Sequence, residues 1–164
     1  MAQMRLRGFV DFINLCVFTN NELDRIAGRS IHPGGKIMAD GIRAEAETIR
    51  VDDDTHRHKH TGPTSKQKSA LLAPGSYGIA KIRHVRHGWN VKVGWQGYND
   101  VLTKKYPRGQ ANAMIARSVN AGTTFMKKQP FVNRAIRKYE RATVQAISDQ
   151  FDEEIEKIWN KGSK

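Results

Sequence analysis

Arg117-Ser-Val-Asn-Ala-Gly-Thr-Thr-Phe-Met-Lys-Lys-Gln-Pro-Phe-Val-Asn-Arg-Ala-Ile136 is the stretch from which the fold can be worked out. Gly122, in the Gly122-Thr123 pair, is the residue type for a backbone position with positive φ, so the preceding segment can end there. A short basic loop with Lys127 and Lys128 leads to Gln129-Pro130-Phe131. Pro130 fits the first turn of a helix, where its missing N–H removes a donor that had no partner. Phe131 opens an apolar stripe of helical period that continues through Ala135, Tyr139, Ile147, Phe151, Ile155 and Trp159. About thirty residues of helix extend roughly 45 Å. That exceeds what a body this small is expected to cover, so Phe151, Ile155 and Trp159 are candidates for contact with another copy. Gly122, Thr123, Pro130 and Phe131 form the expected architectural hinge.

Working outward, Gly78–Val85 and Trp89–Trp95 read as a β-hairpin about Arg86-His87-Gly88. Trp89, Val91, Val93 and Trp95 alternate with Asn90, Lys92 and Gly94, so one face is buried, with the long helix as its expected cover. Between hairpin and hinge, residues 96–110 read as a loop carrying Lys104, Lys105 and Arg108, and 111–121 as a short helix.

Toward the N-terminus, Phe9, Phe12, Ile13, Cys16 and Val17 make a helical face within 5–18. Thr19-Asn-Asn-Glu22 has capping-box spacing and predicts a fresh helix near Asn20. Pro33-Gly34-Gly35 is expected to break or re-aim the chain before a further helical stretch from Lys36 to Ile49, with one kinked helix over 21–50 as the alternative. Gly41 inside that pattern marks a close approach by another element. Residues 51–63 read as a polar loop holding Asp52, Asp53 and Asp54, then His56, His58 and His60. Ser65–Leu72 suits a short helix. The expected architecture is α+β and a single domain over 1–164. N-terminal helices fill 1–50, a polar loop and short helix 51–76, and a small antiparallel sheet with a short helix 77–121. The long helix of 122–164 is packed across the sheet.

Length and charge bound the function. One domain of 164 residues can bury roughly 70% of its unfolded surface. No apolar run approaches the ~20 residues of a membrane span, and Met1–Arg7 lacks the apolar core of an export signal. The single Cys16 excludes an intramolecular disulfide and fits assembly in a reducing cytoplasm. Of the net charge of +12, residues 55–130 hold 14 Lys and Arg against one acid, Asp100, while the flanks hold 14 against 15. A middle that basic is expected to attract nucleic acid or an acidic protein face. The far end of the long helix is acidic (Asp149, Asp152, Glu153, Glu154, Glu156), and opposite signs on one chain suit head-to-tail contact between copies.

No arrangement of residues carries catalytic chemistry. A phosphate-binding Gly-x-x-x-x-Gly-Lys is absent, the lone cysteine has no activating neighbour, and the Asp52–Asp54 run reads as solvation. The three alternating histidines lack a fourth ligand and are interrupted by Arg57 and Lys59, so solvated side chains are expected instead of a metal site. Accordingly no catalytic residue, cofactor or metal ligand is assigned.

The order Gly122-Thr123, a few variable residues, Gln129-Pro130-Phe131 and then Arg134-Ala135 resembles the tail-completion (minor tail component, or neck) proteins of long-tailed bacteriophages. The likeness extends to Gly88–Tyr98 and to Thr61-Gly62 with Ser69 behind it, about the last two-thirds of the chain. Asn120-Ala121 stands where the family often has an acidic residue before the Gly-Thr, and Pro63 where it has a leucine. The resemblance implies a structural virion protein, assembled in the host bacterial cytoplasm, that forms a homo-oligomeric ring in the neck. There it would join the head connector or head-completion protein to the tail-terminator or tail-tube proteins, around the path of the DNA. Lys104, Lys105, Arg108, Lys127 and Lys128 are then the candidates for contact with a partner or with DNA. The alternative is a basic nucleic-acid-binding module, with Trp89, Trp95, Tyr98 or Tyr106 stacking on bases.

Overall fold

Two long antiparallel helices organise the computed structural model, which describes the backbone of residues 7–162 apart from 55, 57, 87 and 104, and the side chains of 22–157 within it. The first helix, α1, runs Arg7–Glu47 and passes straight through Pro33. The expected start near Asn20 and the expected break at Pro33-Gly34-Gly35 are both absent, and the single-helix alternative extends further than foreseen. The reason lies in what α1 packs against. A Cβ at Gly34 would stand 2.5 Å from Ile147, and one at Gly41 would overlap the Tyr139 ring. A Cβ at Gly28 would stand 2.8 Å from the Trp89 ring, and one at Gly35 would stand 3.3 Å from Val91. These glycines are notches for neighbouring side chains. A proline inside a helix costs about 3 kcal/mol, but an apolar side chain contributes roughly 1.5–3 kcal/mol when fully covered and about half of that when half-covered, as these are along α1. Four such side chains outweigh one proline. The close approach foreseen at Gly41 is thus made by Tyr139.

The last helix, α4 (Phe131–Gly162), returns along α1. Arg29 pairs with Glu154 at 3.2 Å near one end, and Arg134 pairs with Glu45 at 3.0 Å near the other. Over this length α4 is not too long for its own molecule. The expectation of an uncovered arm is corrected because α1 is one rod of 41 residues instead of two short pieces. Phe131 and Ala135 are fully buried, and Phe151 and Ile155 are half-buried in the single chain. Ile136 (43% exposed) and Val144 (57%) are the large apolar side chains of α4 that stay exposed among the described residues. The side chain of Trp159, like those of Phe9, Phe12, Ile13, Cys16 and Val17, lies outside the described residues.

The hairpin forms as two short ladders. In one, β1 (Tyr77–Ile79) pairs antiparallel with β4 (Val93–Trp95), Tyr77 opposite Trp95. In the other, β2 (Arg83–Val85) pairs with β3 (Gly88–Asn90), Arg83 opposite Asn90. Between them residues 80–82 face only 91–92, so one strand carries an extra residue and the ribbon twists there. Ala80 N–H still donates to the Lys92 carbonyl across the gap at 2.7 Å. The buried face is the foreseen one, but α1 covers it. Phe131, at the start of α4, meets the sheet through an edge-to-face contact with Trp95, centroids 5.5 Å apart.

Two short helices close the core. α2 (Ser65–Leu72) has Thr64 as N-cap and Gln67 completing a capping box, which fixes the boundary read from sequence. α3 (Asn112–Ala121) ends at Gly122, whose φ is +79° and whose N–H donates to the Ser118 carbonyl. Ile42 and Ala46 of α1, with Ile49 just after it, pack with Leu71, Ile115, Val119 and Phe131. The architecture is therefore α+β: among the described residues, four helices and two small antiparallel ladders, the long C-terminal helix lying on the N-terminal one. Among the described residues no helix is long and apolar enough to cross a membrane.

Candidate functional site

Gln129 ties three segments together. Its side-chain carbonyl accepts from Arg50 N–H at 2.9 Å, and its amide donates to the carbonyls of Arg50 (2.8 Å) and Thr61 (3.0 Å). Its own backbone N–H reaches the Val119 carbonyl at 2.8 Å. Gly62 is needed beside it, since a Cβ there would overlap the Arg50 carbonyl and stand 2.6 Å from the Gln129 amide nitrogen. The Thr61-Gly62 pair and the Gln129-Pro130-Phe131 run, far apart in sequence, are thus one hydrogen-bonded knot.

The hinge residues fall into place around it. Gly122 needs its positive φ, and a side chain there would press on the Lys128 backbone at 2.9 Å. Thr123 and Met126 bond backbone to backbone and close a turn with Phe125 at its tip. His60 N–H donates to the Phe125 carbonyl at 2.8 Å, and Lys127 N–H to the His60 carbonyl at 2.9 Å, so the turn is pinned to the 51–63 loop. Pro130 sits one residue before α4, its carbonyl taking the first helical bond from Arg134 N–H at 3.0 Å. Asn120 caps that helix through its side-chain carbonyl, which accepts from Val132 N–H at 3.0 Å. An amide at position 120 supplies the acceptor a carboxylate would.

The loop acids are structural, which corrects their reading as solvation. Asp52 is buried (8% exposed) and accepts from the backbone N–H of Thr61 (2.7 Å) and its hydroxyl (3.1 Å), and from Asp54 N–H (3.2 Å). Asp53 accepts from the Ser65 hydroxyl and from Ser65 N–H, bonds that hold its carboxyl below the usual range. His56 and His58 are exposed, and His60 is the histidine turned inward. Among the described residues no group of His, Cys, Asp and Glu could hold a metal ion.

The candidate cations separate. Lys127 and Lys128 stand at the hinge, on the wall shared by two hollows of about 660 and 590 Å³. Arg50, Thr61 and Arg134 line the first hollow, and Lys59 and Thr123 the second. Lys105 and Arg108 belong to the 96–110 loop instead, which is tied down by a Gln67–Gln110 bond of 2.8 Å and an Asn99–Asn112 bond of 3.2 Å. Lys104 lies outside the described residues. Arg134 is neutralised by Glu45, whose carboxyl is held below its ordinary range chiefly by the bond from Arg134, with burial opposing and Lys138 adding to it. The side chains of Lys59, Lys127 and Lys128 make no ion pair with the described residues.

Sequence reasoning missed Arg50, Lys59 and Phe125 as neighbours of Lys127 and Lys128. Phe125 is 69% exposed, and its place inside the quoted Gly-Thr…Gln-Pro-Phe stretch was the available signal. Trp89 and Trp95 are packed against other parts of the molecule. Trp95 donates its indole N–H to the Leu71 carbonyl at 3.0 Å and packs on Tyr77 and Phe131, while Trp89 donates to Asp24 at 3.1 Å and lies over Gly28. Tyr98 is 75% exposed, and Tyr106 lies under the Lys105 ammonium at 5.6 Å. No family model, curated protein or solved structure matches the chain.

Proposed function

We propose that the protein is a structural component of the neck of a tailed phage or prophage, a ring-forming joining piece between the head connector and the tail. The observation that carries this reading is the knot at Gln129. The residues on which the resemblance rests, Thr61-Gly62 at one place and Gly122-Thr123 with Gln129-Pro130-Phe131 at another, meet in one hinge that sets how the long helix leaves the body. A basic face of Lys59, Lys127 and Lys128 stands beside that hinge and is available to an acidic neighbour.

Negative-stain electron microscopy tests the reading. The purified protein, alone or mixed with head-connector and tail components, is expected to form rings of uniform diameter. Monomers under both conditions would overturn it. Mobility shift across a salt series separates the other class. Weak binding to duplex DNA, lost by about 200 mM salt, fits a ring around DNA, whereas tight binding at physiological salt points to a nucleic-acid module.

A further inference from the structure

We infer that the basic face at the hinge, with Phe125 at its edge, is the docking site for the acidic end of α4 of a second copy of this chain. The inference rests on the ring reading above and specifies which two surfaces meet.

Two features make the hinge face a receiving surface. Phe125 is exposed yet rigidly presented, because the turn that carries it is hydrogen-bonded at both sides to His60. An exposed aromatic on a fixed turn is the kind of anchor that dominates protein interfaces. Around it Lys59, Lys127 and Lys128 are exposed and lack carboxylate partners among the described residues. The hollows on either side of Lys127-Lys128 have room for several side chains.

The occupant follows from charge and from length. Asp149, Asp152 and Glu156 recur at i, i+3 and i+7 and so share one face of α4, and all three are exposed. Asp149 accepts from Gln145, and Asp152 and Glu156 form no ion pair with the described residues. Half-buried Phe151 and Ile155 lie on the adjoining flank of the helix, about 100° round from the acids, and keep some apolar surface at its edge. The acids cannot reach the hinge of their own molecule. At 1.5 Å per residue, Asp149 is about 27 Å and Glu156 about 38 Å along the helix from Phe131. The two signs can therefore meet only between copies. A contact that joins two different surfaces is heterologous, and it closes into a ring if the rotation permits. A duplex would match the cations but leave Phe125 in water, which favours the protein partner.

Sedimentation velocity on the full chain tests this, with wild type, Lys127→Glu/Lys128→Glu, Asp152→Lys/Glu156→Lys and the chain bearing all four changes. The wild type is expected to self-associate, less so as salt rises. Each double variant should associate at least about tenfold more weakly while keeping its circular dichroism and melting temperature. An equimolar mixture of the two double variants has complementary charge at both junctions, native at one and exchanged at the other, and should associate where neither variant does alone. The four-fold variant should regain association, and Phe125→Ser should weaken it. The inference is overturned by a wild type that stays monomeric alone, by folded double variants that associate normally, or by a folded four-fold variant that does not. It is equally overturned if charge reversal at Lys127 and Lys128 removes DNA binding and leaves association unchanged. Rings that form only on added connector or tail components would sink this contact and leave the neck reading standing.

Discussion

Gln129 shows how much one polar side chain can hold when it answers backbone groups from segments far away in sequence. Replacing it with Leu leaves Arg50 N–H and the Arg50 and Thr61 carbonyls short of a bond. These bonds are exposed or half-buried, where water can answer the freed groups, so each costs about 0.5–1.5 kcal/mol when lost, and Gln129→Leu should lower unfolding free energy by about 1–3 kcal/mol in urea titration. Gly62→Ala should be at least as damaging, since its Cβ would overlap the Arg50 carbonyl. Glu45 gives a pH-dependent counterpart. Its folded-state pKa is depressed by Arg134, so its contribution is present above the ordinary carboxylate pKa and is lost as pH falls through the lower folded value. Melting temperatures of wild type and Glu45→Gln should differ at pH 7 and converge on acidification below about pH 4. A gap that stays constant or widens at low pH would contradict that assignment.

Among the elements, α1 is where helix propensity and packing give opposite answers. Ala is a better helix former than Gly by about 1 kcal/mol, so propensity alone has Gly41→Ala stabilising. Packing has it destabilising, because the Cβ would overlap the Tyr139 ring. We expect loss of about 1–3 kcal/mol from overpacking, with Tyr139→Leu in the same chain recovering part of it. Thermal unfolding of the two variants reads the sign directly, and a raised melting temperature for Gly41→Ala would refute the tight α1–α4 contact. Gly34→Ala opposite Ile147 is expected to behave alike. The bulge between the two ladders, an extra residue in 80–82 opposite 91–92, is the sheet's comparable device, and it bends the ribbon locally.

For the whole molecule, the uneven distribution of charge matters more than its sum. The Arg29–Glu154 and Arg134–Glu45 pairs clamp the two long helices, yet the hinge cations and the outer acids of α4 stay separated along the rod. Self-association through them should fall as salt rises from about 50 to about 300 mM, because exposed charges are screened over a Debye length. An apolar interface would show little such dependence. Over its described side chains α4 is covered chiefly by α1, and Phe151 and Ile155, two of the residues expected to meet another copy, are half-buried within the single chain. Among the described residues, the polar end, the partly covered Phe151 and Ile155, and exposed Ile136 and Val144 are open to a neighbour.

Local chemistry by itself determined the short elements. The Thr64–Gln67 capping box set α2, Gly122 ended α3, strict alternation from Trp89 to Trp95 marked the buried face, and Phe131 began α4. In each case the deciding interaction lies within a few residues of chain. Only the tertiary structure decided that Pro33-Gly34-Gly35 lies inside a helix, that α1 and not α4 covers the sheet, and that Asp52 is buried. It also decided that Thr61-Gly62 closes on Gln129. Those outcomes depend on partners far away in sequence. A glycine reads as a breaker until the ring or methyl group that fills its place is known, and a loop carboxylate reads as solvated until the N–H groups it satisfies are brought to it.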